Sequence, residues 1–163
     1  MTVGMPLVRY VGPSTGKRGS LASGRSSMVQ AMPVPRAIEA FVQRVSAGDG
    51  NAAAEWVHDD AEFQLPGNQV LPIGSAGAQA FASRHGEVED RLISVELQRA
   101  EAVRENVWLT RLVFVNREIA SGETMYEMEV GGVFELRGDR IARLRAFASP
   151  EEARADAVGG ADR

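Results

Sequence analysis

An α+β domain is what this chain predicts, a curved antiparallel sheet carrying its N-terminal helices on the concave face. Three observations point there. Apolar residues recur at helical spacing soon after residue 35, the last third reads as three strands joined by two tight turns, and no apolar run approaches the roughly 18 residues of a membrane span. At 163 residues, 44% of them hydrophobic and 25% charged, the chain holds one ordinary core and is too short for two full domains. The order helix, helix, strand, helix, then strands to the end puts the helices on one face of the sheet, and the gap between the layers can stay open as a pocket.

Residues 1–33 read as a disordered basic extension. Gly4, Gly12, Gly16, Gly19 and Gly24 interleave with Pro, Ser and basic residues, and no period survives more than a few positions. Residues 1–38 hold five basic residues (Arg9, Lys17, Arg18, Arg25 and Arg36) and no acid, while the net charge of the whole chain is -4. The extension suits a basic arm, a targeting segment or translated upstream sequence, since Met28 and Met32 both stand as plausible starts just before the folded region. The domain is expected over residues 34–153, followed by a disordered tail over 154–163.

Within the domain, Pro35 stands where a first helical residue would, and Ile38, Phe41, Val42 and Val45 follow at the spacing of an amphipathic helix. Gly48 and Gly50 end it. Asn51 caps a short second helix through Trp56, which His58-Asp59-Asp60 closes before a strand over Ala61 to Leu65. Pro66-Gly67 stops that strand, and a third helix capped by Ser75 runs from about Ala76 to Arg84. After the polar link Gly86 to Arg91, four strand-like runs remain.

The turn at Ser121-Gly122 sets a register. If Ala120 pairs with Glu123 across a two-residue loop, Arg111 faces Gly132, Val113 faces Val130 and Val115 faces Met128. That face, apolar except for one arginine, is read as the cavity wall, with Leu109 alongside. The opposite face, Trp108, Thr110, Leu112 and Phe114, is too apolar for a freely solvated sheet and is expected to meet a partner, a second copy of the chain. At the last hairpin two arrangements stand. A simple two-residue Gly138-Asp139 turn brings Arg145 beside Gly132, whereas a bulge within Arg137 to Arg140 turns Arg143 and Arg145 outward and Leu144 and Ala146 inward.

Side-chain chemistry narrows the functions. Without cysteine there are no disulfides, thiolate nucleophiles or cysteine-bearing zinc sites. Of the 18 basic residues only Lys17 is lysine, a coding bias of a GC-rich genome more than a nucleic-acid signal. His58 and His85 sit near helix ends and are too far apart for a metal site. Asp59-Asp60 reads as a cap, and Trp56, Trp108 and Phe114 as core or interface residues first. Arg111 is the outstanding candidate, because a guanidinium on an apolar strand is costly to bury unless paired. It meets a ligand anion, or a structural partner such as Glu62 or an acid of the first helices, or its stem packs while its head reaches solvent. Glu62 is the nearby base if it enters the cavity. Strand alternation puts either Glu62 and Gln64 or Phe63 and Leu65 inward, and an apolar core favours the second pair.

Three runs carry a family resemblance: Val45-Ser46-Ala47-Gly48-Asp49, then His58 to Gly67, then Gly132-Val133-Phe134-Glu135-Leu136 with Ile141 to Phe147. Their order and spacing over about residues 35–153 resemble the nuclear transport factor 2-like superfamily, near its ketosteroid isomerase and SnoaL-like branches. The resemblance implies a cone-shaped α+β fold, an apolar cavity between sheet and helices, frequent dimerisation, and enzymes acting on steroids, polyketide rings or epoxides without cofactor. It also favours the bulge in the last hairpin. The ketosteroid isomerase oxyanion tyrosine would fall on Phe41, its base on Leu65 and its second donor near Gly132, none of which can do those jobs. The arginine of the epoxide hydrolases falls on Arg111, but their two aspartates fall near Val113 and Ala146, and their water-positioning residues near Glu62 and Gln64. An arginine cannot accept the proton of water.

The resulting expectation is a SnoaL-like pocket for a small apolar molecule, lined by Phe41, Trp56, Gln64, Leu65, Leu109, Val113, Met128, Val130 and Gly132. In the catalytic reading Arg111 is the electrophile and Glu62 the base of an isomerase, cyclase or hydrolase acting on a ring or epoxide. The alternative is a non-catalytic binding or dimerising domain. No cofactor, metal, nucleic acid or membrane is expected, and a soluble cytoplasmic homodimer is.

Overall fold

The structure, a computed structural model, describes residues 33–160. Almost all of the expected basic extension therefore lies outside the described residues, as do residues 161–163. The elements are α1 (Arg36–Ser46), α2 (Gly50–Ala54), β1 (Val57–Leu65), β2 (Gln69–Val70), α3 (Gly74–Ala82), β3 (Gly86–Val88), β4 (Arg91–Arg104), β5 (Val107–Glu118), β6 (Thr124–Arg137), β7 (Arg140–Phe147) and α4 (Pro150–Gly160). One curled seven-stranded sheet runs in the order β2-β1-β7-β6-β5-β4-β3, with α1 and α3 on its concave side. All neighbours are antiparallel except β1 and β7, which run parallel because the last strand returns beside the first. The expected α+β architecture holds, with that one parallel pairing added.

Local chemistry explains most boundaries. The stripe Ile38, Phe41, Val42 and Val45 is the buried face of α1. At α2 the cap is Asp49 rather than Asn51, its carboxylate accepting from the Ala52 amide at 3.1 Å. His58, Asp59 and Asp60 do not close a helix but belong to β1. Helix α3 starts at Gly74 rather than behind a Ser75 cap. Gly74 has φ +68°, and a Cβ there would collide with the Asp59 carbonyl, so only glycine lets this helix approach β1.

The sharpest departure from expectation is the face of β5. The β5–β6 connection is wider than two residues: the Glu118 amide donates to the Glu123 carbonyl at 2.9 Å, and the Gly122 amide donates back to the Glu118 carbonyl at 2.8 Å. The Ser121 hydroxyl supports this wider loop, donating to the Glu118 carboxylate at 2.7 Å and accepting from the Glu123 amide at 3.1 Å. A bulge follows, because Arg117 pairs with Thr124 but Asn116 pairs with Tyr126, leaving Met125 unopposed. The register beyond it differs by one residue from the expected one: Arg111 pairs with Gly131 and Thr110 with Gly132.

A one-residue slip exchanges the faces of a strand. On β6 the inward residues are the expected Met128 and Val130, but on β5 they are Leu112 and Phe114. Leu109, Arg111 and Val113 point to the convex side. The expected partner face, Trp108, Thr110, Leu112 and Phe114, is instead turned into the core, where Trp108 and Leu112 are buried and Phe114 packs against them. The homodimer expectation thereby loses the surface on which it rested.

The last hairpin combines both arrangements read from the sequence. Gly138-Asp139 is a simple turn with Arg137 opposite Arg140, and the bulge comes inside β7, where Ala142 is left over between the Leu136–Ile141 and Glu135–Arg143 pairs. Leu144 and Ala146 consequently line the cavity. Arg143 and Arg145 point outward into an ion-pair chain.

Residues 154–160, expected as part of a trailing tail, instead continue α4 on the convex side. Ala153 and Ala157 are fully buried there against Val107, Leu109 and Val133. The approach is close enough that a Cβ at Gly131 would lie 2.5 Å from that of Ala153.

Candidate functional site

Between α1, α3 and the concave sheet lies a cavity of about 290 Å³. Its inner wall is carbon: Phe41, Val42 and Val45 from α1, Phe81 from α3, Leu65 from β1, Ile93 and Val95 from β4, Leu112 and Phe114 from β5, Val130 and Phe134 from β6, and Leu144 and Ala146 from β7. Phe41 is the hub, its ring centroid 6.1 Å from that of Phe63, 6.0 Å from Phe81 and 6.3 Å from Phe134. Exposed Pro66, Arg84, Tyr126 and Met128 mark the mouth.

Of the expected site residues, the structure brings Phe41, Leu65, Met128 and Val130 together around this cavity. Gly132 lies next to it, but the Thr110 hydroxyl closes over it, donating to the Gly132 carbonyl at 2.9 Å. The others are elsewhere. Leu109 is buried beneath α4, and Val113 is on the convex face with Arg111. Trp56 lies near the N-terminus of α1, its ring 5.5 Å from the Arg36 guanidinium. Gln64 points outward and donates to Asn68 at 2.8 Å. Phe63 and Leu65 are the inward residues of β1, as an apolar core requires.

Neither expected catalytic residue reaches the cavity. Arg111 pairs loosely with Glu129 at 3.7 Å on the outer face, both side chains being substantially exposed. Glu62 pairs with Arg143 at 3.1 Å, and the chain of charges continues from Arg143 to Glu135 at 3.6 Å, Glu135 to Arg145 at 2.8 Å and Arg145 to Asp156 at 2.7 Å. Burial opposes the charge of Arg145, but its bonds to Glu135 and Asp156 outweigh that and hold the guanidinium above its ordinary value. This network fastens α4 to the sheet. Nearby, the hydrogen bond from Arg137 holds the exposed Asp60 carboxyl below its ordinary value, and His58 Nε2 lies 2.6 Å from the Arg137 carbonyl. These groups belong to the surface.

Among the described residues, the one enclosed titratable side chain lining the cavity is His85, only 4% exposed. Helix α3 stops at Ala82, and the Phe81 carbonyl accepts from the Arg84 amide at 3.2 Å, three residues on, which leaves its second lone pair free. The His85 ring reaches back to it, with Nδ1 3.0 Å from the oxygen. Phe81 stands edge-on to the imidazole at 5.4 Å, and Phe114 is tilted against it at 5.2 Å. Burial pushes the ring's pKa below its ordinary 6.5, more than the bond to Phe81 raises it, and the Arg84 charge works in the same direction as burial. From the sequence alone His85 is a helix-end residue. A signal was present: Ala78, Phe81, Ala82 and His85 form one stripe at helical spacing, the side of α3 that faces the core.

Among the described residues no cluster of three or more histidine and carboxylate side chains could hold a metal. Nor is any helix among the described residues long and apolar enough to cross a membrane.

The fold has counterparts among known proteins. The model for the SnoaL-like domain matches residues 38–144. The chain belongs to this family. No curated protein sequence matches the chain. An epoxide hydrolase of the LEH-like type from M. tuberculosis is 20% identical with a TM-score of 0.55, the match covering 77% of this chain and 94% of that one. A Catenulispora acidiphila protein with a ketosteroid isomerase-like fold, solved in complex with trimethylamine, is 12% identical with a TM-score of 0.59, over 72% and 88% of the two chains. ActVI-ORFA from Streptomyces coelicolor is 11% identical with a TM-score of 0.55, over 66% and 87%. At such identities the likeness is one of fold.

Proposed function

We propose that this SnoaL-like domain binds a small, largely apolar molecule of one or two rings in the cavity between α1, α3 and the sheet. The observation that carries the proposal is the lining: carbon throughout the enclosed part, with the single imidazole of His85 among it. Ligand pockets are commonly apolar with a few placed polar groups, and this one lies at the small end of their size range. Hydrolysis of an epoxide or isomerisation of a ketone needs a base in reach of the reacting atoms. Glu62 and Arg111, the groups expected to serve a SnoaL-like enzyme here, are committed to ion pairs on the convex face. Binding is therefore favoured over that chemistry.

His85 supports a second reading, a cofactor-independent isomerase or cyclase in which the imidazole is the proton carrier, since among the described residues it is the one enclosed group lining the cavity that can exchange a proton.

The test is native mass spectrometry and solvent extraction of the purified protein beside Ala146→Trp, which fills the cavity from β7. An apolar molecule retained by the parent and lost from the variant is expected. Equal retention by both would place the ligand elsewhere.

A further inference from the structure

Fixing one end of an imidazole fixes the other. The Phe81 carbonyl can only accept, so the His85 Nδ1 at 3.0 Å carries the ring proton and donates. In the neutral ring Nε2 is then a bare lone pair. That atom is buried and has no hydrogen-bond partner among the described residues, and the ring that carries it lines the cavity. Phe81 and Phe114, packed on the ring at 5.4 and 5.2 Å, hold its plane and therefore the direction of the lone pair. An orphaned buried acceptor is costly, and a native structure that keeps one needs a reason for it.

We propose that His85 Nε2 is the polar subsite of the cavity and accepts a hydrogen bond from the hydroxyl of a phenol, naphthol or enol. The proposal rests on the reading of this cavity as a ligand site. A ketone, ether or epoxide oxygen offers only lone pairs, so bringing one against Nε2 leaves two acceptors facing each other and both desolvated. A hydroxyl satisfies both groups at once. The chemistry of the cavity is thus the reverse of an oxyanion hole: it presents an acceptor where such a site presents donors. Arg84 is the nearest permanent charge on the same helix end. It is exposed at the mouth and disfavours protonation of the ring, which keeps the lone pair available.

Calorimetric titration with naphthol, methoxynaphthalene, acetonaphthone and naphthalene at about pH 8, where the ring is neutral, tests this. The parent should bind naphthol roughly tenfold or more tightly than the ether or the ketone, the worth of one satisfied buried acceptor. His85→Phe should lose that preference while still binding naphthalene. Nitrogen NMR shifts of the parent imidazole provide a check that needs no variant, and the Nδ1–H tautomer is expected. Equal affinity for naphthol and methoxynaphthalene in the parent, or an Nε2–H tautomer, overturns the subsite and leaves the cavity reading standing. Failure of all four compounds to bind overturns the cavity reading and the subsite with it.

Discussion

Adjacent residues on β5 should behave as though they belonged to different proteins. Leu112 is 4% exposed and forms part of the cavity wall, whereas Arg111 lies on the other face with its side chain 40% exposed. Truncating a buried leucine to alanine costs about 2–5 kcal/mol, depending on how large a void remains. Here the lost methyl groups enlarge a cavity already present, and part of their surface was never in tight contact, so Leu112→Ala should fall at about 2–3 kcal/mol. For a domain of this size that is a drop of roughly 5–15 °C in melting temperature. Arg111→Ala removes a 3.7 Å ion pair whose acid is itself 51% exposed, and exposed pairs of that kind are worth about 0–1 kcal/mol. Thermal melts of the two variants beside the parent, with naphthalene titrated into each, decide the matter. Should Arg111→Ala lose more stability than Leu112→Ala, or lose the ligand while Leu112→Ala keeps it, the register of β5 argued above is wrong.

Four further outcomes are expected. The folded-state pKa of His85 lies below its unfolded value of about 6.5, so the unfolded chain binds more protons on acidification; this contribution to stability is fully present above 6.5 and is lost as pH falls towards the lower folded value, and His85→Phe should flatten that part of the curve in chemical denaturation. Phe114→Glu places a carboxylate on the cavity wall and should lower the melting temperature with the sedimentation coefficient of the native protein unchanged; a change in association state with unaltered melting would restore the outward face read from the sequence. Gly131→Val should lift α4 from the sheet, because even a Cβ there meets Ala153 at 2.5 Å, and hydrogen exchange should quicken in α4 while α1 stays protected. Arg145→Met strands Asp156 and leaves Glu135 with only the 3.6 Å contact to Arg143, so chemical denaturation should register a loss of about 1–3 kcal/mol, reduced from the fully buried case by the partial exposure of both acids.

The architecture was legible because it rests on local signals: the apolar stripe of α1, the alternation within β6 that put Met128 and Val130 inward, and the apolar pair Phe63 and Leu65 on β1. The candidate site was legible only where one strand or helix sufficed. Arg111, Leu109 and Val113 were assigned to the cavity because inward and outward on β5 depend on a count carried across a turn. That count fails when Ser121 stabilises a wider loop and Met125 bulges. His85 stood on a readable stripe, but its significance lies in the Phe81 carbonyl and in an Nε2 without a partner, and neither is visible before the helix end is built in three dimensions.

The bulge at Met125 has an evolutionary consequence. Substitution changes one wall position at a time, whereas gain or loss of a single residue in the β5–β6 connection would rotate the whole of β5 and trade Leu112 and Phe114 for Arg111 and Val113. Charged groups therefore stand one deletion away from a carbon-lined chamber, held out by the length of a loop rather than by the composition of the strand. Among proteins of this fold, variation in that connection should track the polarity of the chamber more closely than overall identity does, and small insertions there are an economical route by which one scaffold could move between binding and chemistry.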